Sequence, residues 1–248
     1  MILLLRLSGL TLFLLAWEVA GRSLGDALLA PPSSVVLELA TLARDTHTLT
    51  VIWQSLAPAL VGFAISCVIG MPLGAVMGRS KLADALLHPW MSLFVVTSVA
   101  AIVPILILLL GTGWWFVVAV VVLSSVWYVV LTTYQGAVRL DRRLLDVGRS
   151  FGASRTQSFR TIMLPALFPY LLAGARIGLV HAVRSVVLAQ LFILTGIGGL
   201  LQDAGMDVST ARLLSLLVVI MGIGLVANHG LGRVTDWLAP WQKATEQQ

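Results

Sequence analysis

The stretch LDVGRSFGASRTQSFRTIMLPALFPYL, Leu145–Leu171, is polar and basic and lies between two long apolar regions. Six arginines fall between Arg139 and Arg160, against only Asp141 and Asp146. A connection of about thirty residues inside so apolar a chain is long for a simple turn, and loops of that length are usually functional or disordered. The helical patterning here argues against disorder.

The local grammar predicts two short helices with a bend. The first runs from about Arg142 to Phe151, and Gly152 supplies the break. Ser154 is a candidate N-cap, with Gln157 at the capping-box spacing. The second helix runs to about Met163, and Leu164-Pro165 is expected to end it, because proline disfavours helix geometry in the residue before it. Phe159, Ile162 and Met163 share an apolar face at helical spacing, away from Arg155 and Arg160. Such a helix at a membrane surface lies on lipid or fits a groove in a partner.

Asp146-Val147-Gly148, three residues, Gly152, nine residues, then Ile162-Met163-Leu164-Pro165 resembles the cytoplasmic loop signature of ABC importer permeases. That pattern is Glu-Ala-Ala, three residues, Gly, nine residues, Ile-x-Leu-Pro. The spacing fits without a gap. This chain departs at Asp146 for Glu and at Val147 and Gly148 for the two Ala. The run Gly148–Ser154 looks most like the branch that imports nitrate, sulfonates and taurine.

The chain has 248 residues, 58% hydrophobic and 11% charged, with mean hydropathy +0.97. Soluble domains carry about a quarter charged residues, so this is an integral membrane protein. The length accommodates five to seven spans and no separate soluble domain. In such a chain the net charge of +5 speaks to orientation rather than to nucleic acid. The single cysteine, Cys67, excludes a disulfide or a multi-cysteine metal site.

Met1 to Gly21 is apolar apart from Arg6 and Glu18, and is read as a retained signal-anchor helix in preference to a cleaved signal peptide. Arg22 to Thr50 mixes both charge signs. Pro31-Pro32-Ser33-Ser34 is expected to start a short amphipathic helix carrying Val36, Leu37, Leu39, Ala40 and Leu42. Leu56 to Gly78 is uncharged over a length that can span. Its Gly70, Gly74 and Gly78 form a small-residue stripe that favours close packing within the chain. Pro89 to Val138 carries no charge, which suits two spans. Gly111-Thr112-Gly113 marks the turn, Trp114 and Trp115 are interfacial anchors, and Pro104 is expected to bend the third span. Pro169 to Gly196 is the fifth span, Thr195 to Gly199 a glycine-rich turn, and Leu213 to Gly232 the sixth span. Arg233, Asp236, Trp237, Trp241 and Lys243 make a tail.

Six spans with both termini cytoplasmic put the positive loops on one side. The connection with Arg79, Lys81 and Asp84 is basic, as is the arginine-rich loop. The Gly111 turn is uncharged, and the loop with Asp203 and Asp207 is acidic. The expected fold is thus an all-α membrane protein, similar to type I ABC importer permeases. Residues 1–50 would form the anchor helix and an external amphipathic segment. Residues 51–240 would form the permease core with a coupling loop at 139–168, and 241–248 a cytoplasmic tail.

The chain contains no phosphate-cradling G-x-x-x-x-G-K-[ST], no His-Glu-x-x-His, no cysteine cluster and no nucleophile elbow. It does not read as an enzyme or as an ATPase, and no metal site or bound cofactor is expected. Arg184 stands fifteen residues past Pro169, about 22 Å along a helix and well inside the hydrocarbon. An arginine there costs about 3 kcal/mol on insertion scales, so it must find water, a counter-charge or an anion. His181 shares its face. Two readings stand: His181 and Arg184 line a polar path for an anionic solute, or Arg184 is satisfied by helix ends, carbonyls or an acid such as Asp203. Arg176 is read as structural. Gln190 is a further pathway candidate, at a place where the resembling permeases often carry an acid.

The resemblance implies a permease subunit in the bacterial inner membrane, working as a dimer with the pathway between two copies. A homodimer is expected. It further implies a cytoplasmic ABC ATPase dimer using ATP and Mg, and an external solute-binding protein. Asp146, Gly148, Gly152, Ser154, Phe159, Ile162, Met163, Leu164 and Pro165 would form the coupling loop, with Phe159, Ile162 or Met163 filling the partner's pocket. The alternative is an ATP-independent secondary transporter, for which only Glu18 and His181 stand near the coupling positions.

Overall fold

A computed structural model describes residues 2–25 and 27–238. The expected tail residues Trp241 and Lys243 lie outside them. Among the described residues all regular structure is helical. Four helices are long and apolar enough to cross a membrane: Thr46–Arg79, Trp114–Arg139, Thr156–Ile193 and Thr210–Arg233. A fifth crossing is available if the bent pair Lys81–Val96 and Val99–Leu110 counts as one. In lipid every backbone polar group must be satisfied within its own segment, which makes helices obligatory for these apolar runs. This overrides the weak helix preference of the valine-rich stretch 117–130.

The chain divides into two compact units, Met1–Ala57 with Gln190–Gly224, and Pro58–Ala189 with Leu225–Gln248. In the first, α1 (Ile2–Leu24) packs on α2 (Pro32–Leu42). The Trp17 indole N–H donates to the Ala30 carbonyl at 3.2 Å. The Glu18 carboxylate accepts from the Ser33 amide and hydroxyl and pairs with Arg22. It thereby caps α2, which has no side-chain cap of its own. The buried side chains of α2 are Val35 and Leu42, whereas Val36 and Leu37 are exposed. Of the expected apolar face Leu42 is buried and Leu39 half-buried, while Val35 is buried in place of Val36, Leu37 and Ala40. Leu42 joins Leu200, Ala204 and Leu216 in a core cluster. The last three come from α10 (Gly196–Met206) and α11 (Thr210–Leu238). The glycine-rich segment after Thr195 is therefore mostly the first turn of α10 rather than a free turn. The chain reverses at Leu194 and Gly196, both at positive φ.

In the second unit α3 (Thr46–Arg79, whose first residues belong to the other unit) lies along α6 (Trp114–Arg139). A Cβ on Gly62 would meet Val121 at 2.6 Å, on Gly70 the Val126 carbonyl at 3.0 Å, on Gly74 the Val130 carbonyl at 2.5 Å, and on Gly78 Ala137 at 2.4 Å. Between them Ser66 and Ser125 hydroxyls meet at 2.7 Å. The stripe is thus an intrachain seam, as expected. It is extended by Gly62 and Ser66, and α6 is the best-buried span, with 61% of its apolar window buried against 11–28% for the other three. The Arg79 guanidinium donates to the Ala137 and Leu140 carbonyls at the end of α6, both at 3.4 Å.

Two expectations fail here. The third apolar run is two helices, α4 (Lys81–Val96) and α5 (Val99–Leu110), bent by 103° at Thr97-Ser98 and not at Pro104. Thr97 closes α4 by returning both its amide and its hydroxyl to the Leu93 carbonyl. This is the local competition that bends helices at Ser and Thr. Nor does Leu164-Pro165 end a helix. The chain runs from α8 (Arg155–Ser158) through a π-helical turn, Phe159–Met163, into α9 (Leu164–Ile193). The Leu164 amide bonds back five residues to Phe159. Proline cannot donate, and its ring presses on the carbonyl four residues earlier. The wider turn moves that carbonyl aside.

Candidate functional site

The signature loop folds into a compact unit. α7 (Arg142–Ser150) ends before Gly152, whose φ of +78° suits glycine. The Gln157 amide donates to the Ser154 hydroxyl at 3.2 Å, and the Ser154 amide donates to the Gln157 side-chain oxygen at 2.9 Å. This is the reciprocal capping box read from the sequence. Gly148 faces the Ile162 side chain, which would stand 2.5 Å from an added Cβ. The glycine that replaces the pattern's alanine therefore leaves room for the Ile162 methyl group. Met163 is buried with Ala137 and Leu167. Of the three candidate pocket-fillers, Phe159 alone is freely presented, 46% exposed. Leu164 is partly exposed and Pro165 exposed. Asp146 is exposed, and its carbonyl accepts the Ser150 hydroxyl.

The sequence reading missed the apolar face formed by α7 and Phe151, the residue that follows it. Leu144, Val147 and Phe151 stand at helical spacing and are 50%, 54% and 87% exposed. Their i, i+3, i+7 spacing was the available signal.

The pathway candidates separate. His181, on α9, stacks on the Tyr128 ring with centroids 3.6 Å apart. Both line a cavity of about 400 Å³ at the α4–α5 break, with residues 94–100, Ser124 and Leu188. Arg184 is exposed on α9, is not on that lining and has no ion-pair partner among the described residues. Gln190 is put to a different use. Its side-chain oxygen accepts the Ile197 amide at 3.1 Å, an amide that also reaches the Ser55 hydroxyl at 3.0 Å. It is buried beneath Gly196 and Gly198 and caps α10. Arg176 lies alongside Gly232 of α11. Glu18, the acid available for ion coupling, is occupied by Arg22 and Ser33 as described above.

The apolar helices long enough to cross a membrane, joined by an arginine-rich loop, fit a multi-pass membrane protein. Residues 70–243 match the family described as "Binding-protein-dependent transport system inner membrane component", and the chain belongs to that family. It is an ABC importer permease, a transport subunit rather than an enzyme, and an inner-membrane protein. A probable ABC transporter permease of Brucella abortus (strain 2308) is 31% identical over 245 residues, covering 96% of this chain and 98% of that one. The taurine transport system permease TauC of Escherichia coli (strain K12) is 29% identical, covering 91% and 84%. The bicarbonate transport system permease CmpB of Synechococcus elongatus is 25% identical, covering 96% and 89%. These relatives agree with the nitrate, sulfonate and taurine branch. The inward-facing MetNI methionine ABC transporter structure superposes with a TM-score of 0.66 at 19% identity, over 75% of this chain and 94% of that one. The fold is thus that of a type I importer permease.

Proposed function

We propose that this chain is the membrane subunit of an ATP-driven importer for a small anionic solute, working as a homodimer with the pathway between the copies. A separate ATPase dimer burns ATP with Mg and grips the 146–165 loop, and an external binding protein delivers the solute. The supporting observation is the exposed apolar face of Leu144, Val147, Phe151 and Phe159 on a folded, arginine-bearing unit. Such a face suits a hydrophobic groove on a partner. Phe151 and Phe159 are the anchors, and Gly152 sets the angle between the two helices. The orientation follows from charge: six spans, with α1 as the first and the bent α4–α5 pair as the third, and both termini in the cytoplasm. In this reading residues 1–50 are the anchor and external segment, 51–240 the core and 241–248 the tail. The taurine and bicarbonate relatives support an anionic solute, which His181 and Arg184 would attract.

Co-purification tests this. The wild-type chain is expected to bring down an ATPase in detergent and to need it for transport. Phe151→Asp should cut recovery of the ATPase about tenfold, as loss of an anchor does at other interfaces, with the thermal midpoint of the chain unchanged. Transport in liposomes by the purified chain with an ion gradient alone would establish the secondary-carrier alternative instead.

A further inference from the structure

The α4–α5 break assembles unused hydrogen-bond donors around a cavity. The first turn of any helix leaves amide N–H groups without intrahelical partners. The N-terminus of α5 is such an end, and the Ser98 hydroxyl caps none of its amides. The first backbone bond back is from Ala101 to the Ser98 carbonyl, 3.1 Å. Ser98, Val99 and Ala100 all line the cavity. Ser124, only 9% exposed, lines the same cavity. Its hydroxyl has no hydrogen-bond partner among the described residues. Its neighbour Ser125, by contrast, is bonded to Val121 and Ser66. The Ser124 hydroxyl is not sealed in the core but lies at the cavity lining, where a ligand can reach it. His181 is also on the lining, held flat against Tyr128, whose hydroxyl donates to the Val95 carbonyl at 3.4 Å. None of the lining residues is acidic.

We propose that this break is a binding site for a small oxyanion of the carboxylate, sulfonate or nitrate class. The α5 amides and the Ser124 hydroxyl donate to its oxygens, and the His181 ring closes the remaining side. A helix N-terminus favours negative charge, and half-helix ends inside spans are suited to hold it. The cavity of about 400 Å³ admits an anionic group with a short substituent. The proposal deepens the transport reading and rests on it for the identity of the occupant as a solute. It shifts the anion contacts from Arg184 to backbone amides.

The backbone at the break allows a clean test. Val99 is the first helical residue, where proline is well tolerated. Ser98, at φ −68° and ψ 118°, already has the geometry that a following proline demands. Val99→Pro therefore deletes one donor without breaking α5. Ser124→Ala deletes a second, and His181→Phe keeps the stack on Tyr128 while removing the ring nitrogens. The purified chain in phosphatidylcholine nanodiscs is titrated with radiolabelled methanesulfonate. Saturable binding is expected, weakened about tenfold by Val99→Pro and by Ser124→Ala, the usual loss for one hydrogen bond to a charged group, and less by His181→Phe, which keeps a ring on that side, with thermal midpoints close to wild type. Absent binding, or binding equal in wild type and all three variants, overturns the site. Displacement of bound methanesulfonate from phosphatidylcholine discs by a soluble short-chain phosphatidylglycerol, with none by unlabelled methanesulfonate, assigns the break to lipid phosphate and overturns the solute assignment. A chain that transports with its ATPase and binding protein but binds no methanesulfonate keeps the permease reading and loses this one. A chain that binds but fails to transport with those partners does the reverse.

Discussion

At the start of α3 the Asp45 carboxylate accepts from the Thr48 hydroxyl at 2.5 Å and from the His47 and Thr48 amides. The Thr48 hydroxyl first, and those amides after it, hold the Asp45 carboxyl below the usual carboxylate range. A lowered folded-state pKa gives stability that is present above the ordinary value, near 3.9, and lost as pH falls through the lowered one. Asp45→Asn should therefore lower the thermal midpoint slightly at pH 7, and its gap to wild type should close in acid. A gap that is constant from pH 7 to pH 3 would sink this account. The capping box at Ser154 and Gln157 was legible because its partners are three residues apart. Gln190 was not, since its role as a cap for Ile197 depends on a chain reversal at Leu194 and Gly196 that no local pattern announces. Nor was Ser124: only the fold shows that one serine of the Ser124-Ser125 pair is bonded while the other faces a cavity.

Among elements, the α3–α6 seam makes the sharpest demand. Gly74→Ala would place a methyl 2.5 Å from the Val130 carbonyl, a backbone atom with little freedom to move. Overpacking of this kind costs about 2 kcal/mol. The same change at Gly222, with nothing within 4 Å, should leave the midpoint in detergent unchanged or raise it. Equal effects at the two positions would refute the seam. The π-helical turn makes a second demand. Pro165→Ala removes its cause, so Phe159–Met163 should relax toward regular helix and rotate α8 about its axis relative to α9. Spin labels at Thr156 and Phe168 would read this as a changed distance distribution, and ATPase stimulation by the reconstituted subunit should fall. An unchanged distribution would mean that packing, not proline, sets the turn. The helical content of both regions was evident from hydropathy and spacing. The wide turn and the bend at Thr97-Ser98 were not. Ser, Thr and Pro each permit a break, and tertiary contacts choose where it falls.

For the whole molecule, the orientation inferred from charge predicts that the two ends of α6 open to opposite sides of the membrane. In a Cys67→Ala background, Ser150→Cys should react with an impermeant thiol reagent from the cytoplasmic side and Thr112→Cys from outside. The reverse labelling would invert the topology and remove the loop from any cytoplasmic ATPase. Hydropathy, the arginine-rich loop and the small residues of α3 by themselves determined that this is a multi-pass membrane protein with an intrachain glycine seam, and its permease class came from the resemblance of the loop to the importer signature. These features depend on composition and near-neighbour spacing, to which lipid and water respond directly. Only the tertiary structure decided that the third apolar run is broken, that Met163 is buried while Phe151 is presented, and that Gln190 serves as a cap while His181 meets a cavity. Each of those outcomes rests on a partner tens of residues away or on a choice among several permissive positions, and such choices are made by packing.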